Sequence, residues 1–280
     1  MLTKTFFVES EPYDIAVIIP TRGRTAALKR SIDSLIDTAH NISSVIFMIG
    51  VDDDDQETLS FYTDVIVPEF ERRNLSGMNL TFKRLGYHNL HVYANTLIEY
   101  APAQWMLFWN DDAIMDTPNW DQKIMEYRDQ FALLAVNTNN NHPHSVFPIF
   151  PKDWWKLLGH ASPHMATDGW MSEIGYMLDI VHFIDVTVIH DRFDLTGNNK
   201  DDTYDERIIF TGNPEDPADI NHFDWVVRRH AEAEKIAWYM KKIGMDVSWY
   251  TRVKAGLQDP WEKLKQHDPN NQVHIYNVTG

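Results

Sequence analysis

The chain contains no cysteine, which excludes disulfides, thiolate metal ligands and thiol redox chemistry and suits a reducing cytoplasm. Long apolar runs are missing too: no uninterrupted stretch reaches the length that spans a bilayer. Met1–Pro12 lacks a basic segment followed by a long apolar one, so no signal peptide is expected there. The expectation is a soluble, cytoplasmic protein with no membrane partner. Basic residues are scarce, 25 Lys and Arg against 41 Asp and Glu, for a formal net charge of -16. That field repels phosphate backbones at long range, so nonspecific nucleic-acid binding is not expected. The pairs Arg72–Arg73, Lys83–Arg84 and Arg228–Arg229 read first as solvated faces. The sequence shows no internal repeat and no low-complexity tract.

What is present is 280 residues, 44% of them hydrophobic, enough for one large domain or one domain with a helical appendage. The stretch Trp109-Asn110-Asp111-Asp112 follows an apolar run, Trp105 to Phe108. Carboxylates at the end of a buried strand are costly to desolvate unless a cation meets them. A second acidic cluster, Asp52 to Asp55, ends the run Val45–Val51 in the same way. Ile15–Pro20 is a β-branched strand expected to be covered on both faces. Leu28, Ile32, Leu35 and Ile36 then recur at helical spacing. Strand, helix, strand in this order is a βαβ unit, whose ligand lies at the carboxyl ends of the strands.

Further along, helix is expected over Glu57–Glu71 with a break at Pro68, and strand over Leu80–Arg84 and Phe131–Val136. Thr117 reads as an N-cap with Pro118 at the first position of a helix carrying Trp120, Ile124, Tyr127 and Phe131 on one face. Short helices are expected from Pro151 to near Gly159 and over Asp168–Leu178, and a strand over Phe183–Ile189 that ends at His190. Asn137–Ser145, with His142 and His144, reads as a polar loop, and Asp191–Asp205 as a mobile loop that closes over a ligand. Residues 213–280 read as a C-terminal helical extension to a domain spanning 1–212. It holds a long helix, traced by Phe223, Val226, His230, Ala233, Ala237 and Met240 and ending with Lys241, Lys242 and Gly244, and a short one with Asp259 as N-cap.

These pieces, in this order, resemble the GT-A-type glycosyltransferases, most nearly the family 2 enzymes. Pro20-Thr21-Arg22-Gly23-Arg24 matches the family's Pro-Thr-x-x-Arg-like turn, and Asp52-Asp53-Asp54-Asp55 its Asp-Asp-x-Ser-like turn. Tyr93-Ala94-Asn95 falls where Ala-Arg-Asn precedes the metal motif, and Asn110-Asp111-Asp112 stands for Asp-x-Asp or Asp-Asp-Asp. The match covers roughly residues 14 to 195. Two departures stand out: Asn110 replaces the first carboxylate, and Thr167-Asp168 keeps only the second acid of the usual Glu-Asp pair.

The resemblance implies an α/β fold of GT-A type, a Rossmann-like mixed sheet flanked by helices. It implies a hexosyl- or pentosyltransferase moving a sugar, with inversion, from a nucleotide-diphospho-sugar (a UDP-sugar first) to the hydroxyl of a glycan, protein or modified nucleobase, a hydroxymethylated base in phage DNA among them. Mn²⁺ or Mg²⁺ would neutralise the departing diphosphate as a Lewis acid held by oxygen ligands. If Asn110–Asp112 is extended, Asn110 and Asp112 share a face and Asp111 points away. Asp112 is then the main metal ligand, with Asn110 or Asp111 on the donor's ribose or sugar. Asp52 falls at the base-binding position, with Asp53–Asp55 left as surface or capping groups. Pro20, Thr21 and Asn95 are donor contacts, and Arg22 and Arg24 have equal claims on the diphosphate. Asp168 is either the general base or an N-cap, and Trp170 beside it a platform for the acceptor. His190 is either a further metal ligand, suiting Mn²⁺, or a core histidine; Asp191 and Asp194 are weaker candidates. Two other functions compete: a sugar nucleotidyltransferase, disfavoured by a single glycine in Thr21–Thr25, and a non-catalytic nucleotide-sugar or carbohydrate-binding protein.

Overall fold

The computed structural model describes residues 11–139, 145–198, 200, 205 and 213–262. Among these, eight strands form one mixed sheet: β1 (Tyr13–Thr21), β2 (Val45–Asp52), β3 (Ser76–Phe82), β4 (Ala103–Phe108), β5 (Ala113–Met115), β6 (Leu133–Thr138), β7 (Ile149–Pro151) and β8 (Val181–His190). Their order is β3-β2-β1-β4-β7-β6-β8-β5. The first four in that order run parallel. β7 then runs antiparallel to both β4 and β6, β8 lies parallel to β6, and β5 closes the edge antiparallel to β8.

Alternation along the central strands divides the core in two. In β1, Ile15, Val17 and Ile19 enter one hydrophobic cluster while Ala16 and Ile18 enter the other, and all are fully buried. Both faces being covered, the strand reads as one apolar run. The first cluster is capped by α1 (Thr25–Thr38), through Leu28, Ile32 and Leu35, by α2 (Gln56–Phe61) and α3 (Val67–Arg73), and by α5 (Trp120–Met125). The second is capped by α4 (Leu90–Tyr100), α6 (Lys152–Leu158), α7 (Thr167–Leu178), α9 (Phe223–Lys242) and α10 (Ser248–Lys254); a single turn, α8 (Phe193–Thr196), follows β8. The C-terminal helices are thus built into the covering layer. Ala233, Ile236, Ala237 and Met240 of α9 are buried with α7 residues, and Arg229 Nε donates to Glu173 on α7 at 2.7 Å. Burial pushes the Glu173 carboxyl up to about 6, with Arg229 opposing.

Several local expectations are corrected. Thr117 is not an N-cap: its hydroxyl accepts the Thr187 N–H at 2.7 Å, and Asn119, in the left-handed region at φ 58°, precedes α5 instead. That helix stops at Met125, so Phe131 is not on it. The break at Pro68 is a π-turn over Tyr62–Ile66, in which the Val67 N–H reaches back to the Tyr62 carbonyl. A widened turn relieves the clash of the proline ring with the preceding carbonyls. β3 begins at Ser76 and ends at Phe82, earlier than expected. β5 and β7 were not expected, having three residues each, too few for a periodicity. The helix opening at Asp259 and the His142 and His144 loop lie largely or wholly outside the described residues, as do residues 199 and 201–204 of the expected mobile loop. Among the described residues no helix is long and apolar enough to cross a membrane.

Gly175, on the buried face of α7, lets that helix approach β6 and β8: an added Cβ would stand 2.7 Å from Val181 Cγ2 and 2.8 Å from Leu133 Cδ2. Gly175→Ala is expected to cost about 1–3 kcal/mol through overpacking, read as a lowered midpoint in urea unfolding. An unchanged midpoint would contradict this packing.

Candidate active site

The carboxyl ends of β1, β2, β4 and β8 open on one cleft, which the segment entering α7 also lines. β1 delivers Pro20 and Thr21, and the chain then reverses through Gly23, at φ +64°. The Gly23 N–H donates to Asp55 Oδ2 at 2.7 Å, while Asp55 Oδ1 accepts the Thr58 N–H at the start of α2. The acidic run therefore divides its work. Asp55 is buried and fastens the β1 turn, Asp54 pairs with Arg22 on the rim, and Asp52 faces the cleft.

Asp52 is held from two sides: Arg22 Nη1 donates to Oδ2 at 3.0 Å, and the Tyr93 hydroxyl donates to Oδ1. The same hydroxyl accepts the Leu85 N–H at 2.8 Å, so Tyr93 also fixes the loop before α4. Burial, reinforced by the Asp52 charge, pushes the Tyr93 phenol up to about 12 and keeps it a donor.

β4 ends at Phe108 and the chain turns, the Ala113 N–H meeting the Asn110 carbonyl at 3.1 Å. The Trp109 ring is fully buried, donating to Ser31 Oγ at 2.7 Å, and anchors this turn. Strand alternation does not apply to a turn, so Asp111 does not point away. Arg24 Nη1 lies 3.2 Å from Asp111 Oδ1 and 3.3 Å from Asp112 Oδ2. Thr21 Oγ1 donates to Asp111 Oδ2 at 2.7 Å, which commits the threonine hydroxyl to the protein. The two carboxylates are 5% and 4% exposed. Burial, against the pull of Arg24, pushes Asp111 up to about 6.

Antiparallel pairing of β5 with β8 sets Ala113 opposite His190 and so brings the histidine to the motif. His190 Nε2 lies 3.2 Å from Asp112 Oδ1 and 3.2 Å from Asn110 Nδ2. Although buried, Asp112 Oδ1 and His190 Nδ1 have no hydrogen-bond partner among the described residues. A bare carboxylate oxygen facing an imidazole nitrogen, at the end of an open cleft, fits a divalent cation. The described residues offer no cluster of three or more His, Asp or Glu suited to a metal.

Asp168 lines the cleft, half-buried, with no hydrogen-bond or ionic partner among the described residues. It stands in the first turn of α7 and is not its N-cap, a position held by Ala166. Trp170 faces away from the cleft, fully buried, its Nε1 donating to Glu232 on α9 at 2.9 Å. It is therefore no acceptor platform. Asn95 lies outside the cleft lining: its amide donates to the Ser162 carbonyl at 2.7 Å and accepts the Ala161 N–H at 2.7 Å. It clamps the loop that leads into Asp168.

The cleft also takes residues the motifs do not mark. Arg84 belongs to a pair read as a solvated face, yet it lines the cleft with Tyr87 and Met165. Arg192, just after β8, lines it too and makes two bonds to Asp194, at 2.6 and 2.9 Å. Of the other basic pairs, Arg229 is buried, not solvated. Asp191 pairs with Arg30 at 3.3 Å. A signal for Arg192 existed in its place two residues beyond His190.

No protein-family model matches the chain, and no curated protein matches it. Among solved structures, S. aureus TarS residues 1–349 in complex with UDP-GlcNAc is similar at TM-score 0.56 and 12% identity, over 94% of this chain and 76% of that one. The mannosyltransferase PcManGT from Pyrobaculum calidifontis, in complex with GDP-Man and Mn²⁺, is similar at TM-score 0.52 and 10% identity, over 91% of this chain and 84% of that one. The likeness shows the fold: a mixed sheet flanked by helices, of the GT-A type that the motifs resemble.

The raised Asp111 carboxyl gives a signed expectation. Its folded value lies above the usual 3.8, so the folded state holds this proton more tightly than the unfolded chain. Its ionisation opposes folding above pH about 6, and stability returns as the pH falls from about 6 to about 4. In a chelator-treated sample, the stability of wild type relative to Asp111→Asn should rise by roughly 1–3 kcal/mol between pH 7.5 and pH 4.5. A pH-independent difference in urea unfolding would contradict that burial.

Proposed function

We propose that the chain is a glycosyltransferase using a nucleotide-diphospho-sugar. The observation that carries the reading is Asp112 Oδ1, without a hydrogen-bond partner among the described residues and 3.2 Å from His190 Nε2, in a cleft that Asp168 also lines. Asp112 and His190 would hold Mn²⁺ or Mg²⁺, which when bound supplies Lewis-acid neutralisation of the leaving diphosphate. A neighbour in the same fold carries GDP-Man and Mn²⁺, and another carries UDP-GlcNAc.

Each protein group then has a task its surroundings suit. Asp52, oriented by Tyr93 and Arg22, accepts a ring N–H of the base; uracil and guanine each offer one and adenine and cytosine do not, which favours a UDP- or GDP-sugar. Arg24 and Arg192 supply guanidinium donors for the diphosphate. Asp168 takes the proton of the acceptor hydroxyl as that oxygen attacks the anomeric carbon from the face opposite the diphosphate, giving inversion. Pro20 and Asn110 shape the donor side of the same cleft. Asn95 acts one step back, by holding the loop before Asp168. The acceptor is a hydroxyl compound of glycan, protein or modified-nucleobase type.

A second reading, a non-catalytic nucleotide-sugar binder, draws on Asn110 standing where the family carries a carboxylate. Thermal shift with a panel of nucleoside diphosphates and Mn²⁺, together with donor hydrolysis, separates the two. One diphosphate should stabilise wild type selectively in Mn²⁺. Asp112→Asn should lose the Mn²⁺-dependent part of that shift. Asp168→Asn should keep the shift and lose about 10²–10⁴-fold in hydrolysis. Stabilisation by no diphosphate would overturn the reading; stabilisation without turnover of any donor by wild type would leave the binder.

A further inference from the structure

We propose that the Arg24 guanidinium holds the cation's place at Asp111 and Asp112, and yields it only when a divalent ion arrives with a diphosphate. The proposal rests on the glycosyltransferase reading and adds to it an order of binding set by one residue.

Two adjacent carboxylates are buried side by side. Arg24 Nη1 reaches both, at 3.2 Å and 3.3 Å, from a side chain itself only 11% exposed. Arg22 cannot take this role, since it is bound to Asp52 and Asp54 on the other side of the turn. The backbone of Arg24 is fixed: its carbonyl accepts the Leu28 N–H at 2.9 Å, and the preceding Gly23 is fastened to Asp55. Its long side chain remains the movable part. Arg24 engages Asp112 through Oδ2, and Oδ1, 3.2 Å from His190 Nε2, has no hydrogen-bond partner among the described residues.

A divalent ion entering at Asp112 Oδ1 while Arg24 stays put adds like charge at close range, where little water screens it. A free ion is therefore held weakly. A diphosphate changes the balance, because it brings negative charge of its own and offers the guanidinium a planar set of oxygen acceptors. Arg24 can then leave Asp112 for the phosphates as the ion takes the carboxylate. Ion and nucleotide bind with positive coupling, and the coupling runs through Arg24.

The test measures Mn²⁺ binding by loss of the free-ion electron paramagnetic resonance signal, with and without UDP, for wild type, Arg24→Gln and Arg24→Lys. Arg24→Gln should bind Mn²⁺ alone about tenfold more tightly than wild type, and Mn²⁺ with UDP about tenfold more weakly. Arg24→Lys, which keeps the charge, should still bind the lone ion weakly. Opposite shifts in one variant are a signature that general loss of structure does not produce. Arg24→Leu, apolar and uncharged, replaces Arg24→Gln if the latter does not fold. Lone-ion affinity unchanged or weakened in the uncharged variant overturns the proposal, and so does Arg24→Lys behaving as Arg24→Gln does. If the lone ion tightens yet neither UDP nor any other diphosphate of the panel binds the proteins, the hold of Arg24 on the carboxylates is supported, while its release to a diphosphate and the glycosyltransferase reading both fall. If UDP with Mn²⁺ binds wild type and lone-ion affinity is flat across the variants, the reading stands and the exchange falls.

Discussion

The site is organised around a charge problem: Asp111 and Asp112 lie next to each other, nearly without solvent, at the end of a strand buried on both faces. Left alone, such a pair would take up a proton or force the chain apart. The Thr21 hydroxyl and the Arg24 guanidinium, both from the turn after β1, meet them. Neighbouring parallel strands place that turn and the acidic motif side by side, with Ile18 opposite Phe108 in register. Thr21 and Arg24 offset part of the cost of burial, which still raises the Asp111 carboxyl, and Asp112 Oδ1 is left without a hydrogen-bond partner among the described residues.

Other parts of the architecture serve this arrangement. Asp55 fastens Gly23, so the turn carrying Arg22 and Arg24 cannot drift. Trp109 pins the acidic turn to Ser31 on α1. The short strand β5 pairs with β8 and draws His190 to Asp112. Outside the cleft Asn95 holds the loop before Asp168, and helix α9 seats α7 through Glu232, Arg229 and a buried apolar face. Residues far from the cleft thus fix where its carboxylates stand.

The central strands and their helices were legible in the sequence because burial on both faces leaves continuous apolar runs, as in Ile15–Pro20 and Val45–Val51. The clustering of Thr21, Arg24, Asp52, Asp111, Asp112 and His190 around one cleft is consistent with ordered motifs at strand ends. Other features were not legible. Whether Asp111 turned toward or away from Asp112 depends on where β4 stops, and a stop at Phe108 leaves no periodic mark. Trp170 and Asp168 are two residues apart, yet a helix sends them to different surroundings, core and cleft. Arg84 and Arg192 become cleft residues through tertiary folding, since a lone arginine in a loop looks the same on a solvated face. Asn95 sat in a motif-like position but spends its amide on a neighbouring loop, a partner that no local pattern announces.

In the proposed function Asp112 and His190 hold a divalent cation against a nucleotide diphosphate. The most direct measurement is a crystal structure grown with Mn²⁺ and UDP, with anomalous scattering collected at the manganese edge. An anomalous peak is expected within bonding distance of Asp112 Oδ1 and His190 Nε2, with diphosphate oxygens completing the shell. A peak placed elsewhere, or nucleotide seated in the cleft with Asp112 still closed on Arg24 and no ion beside it, would contradict it.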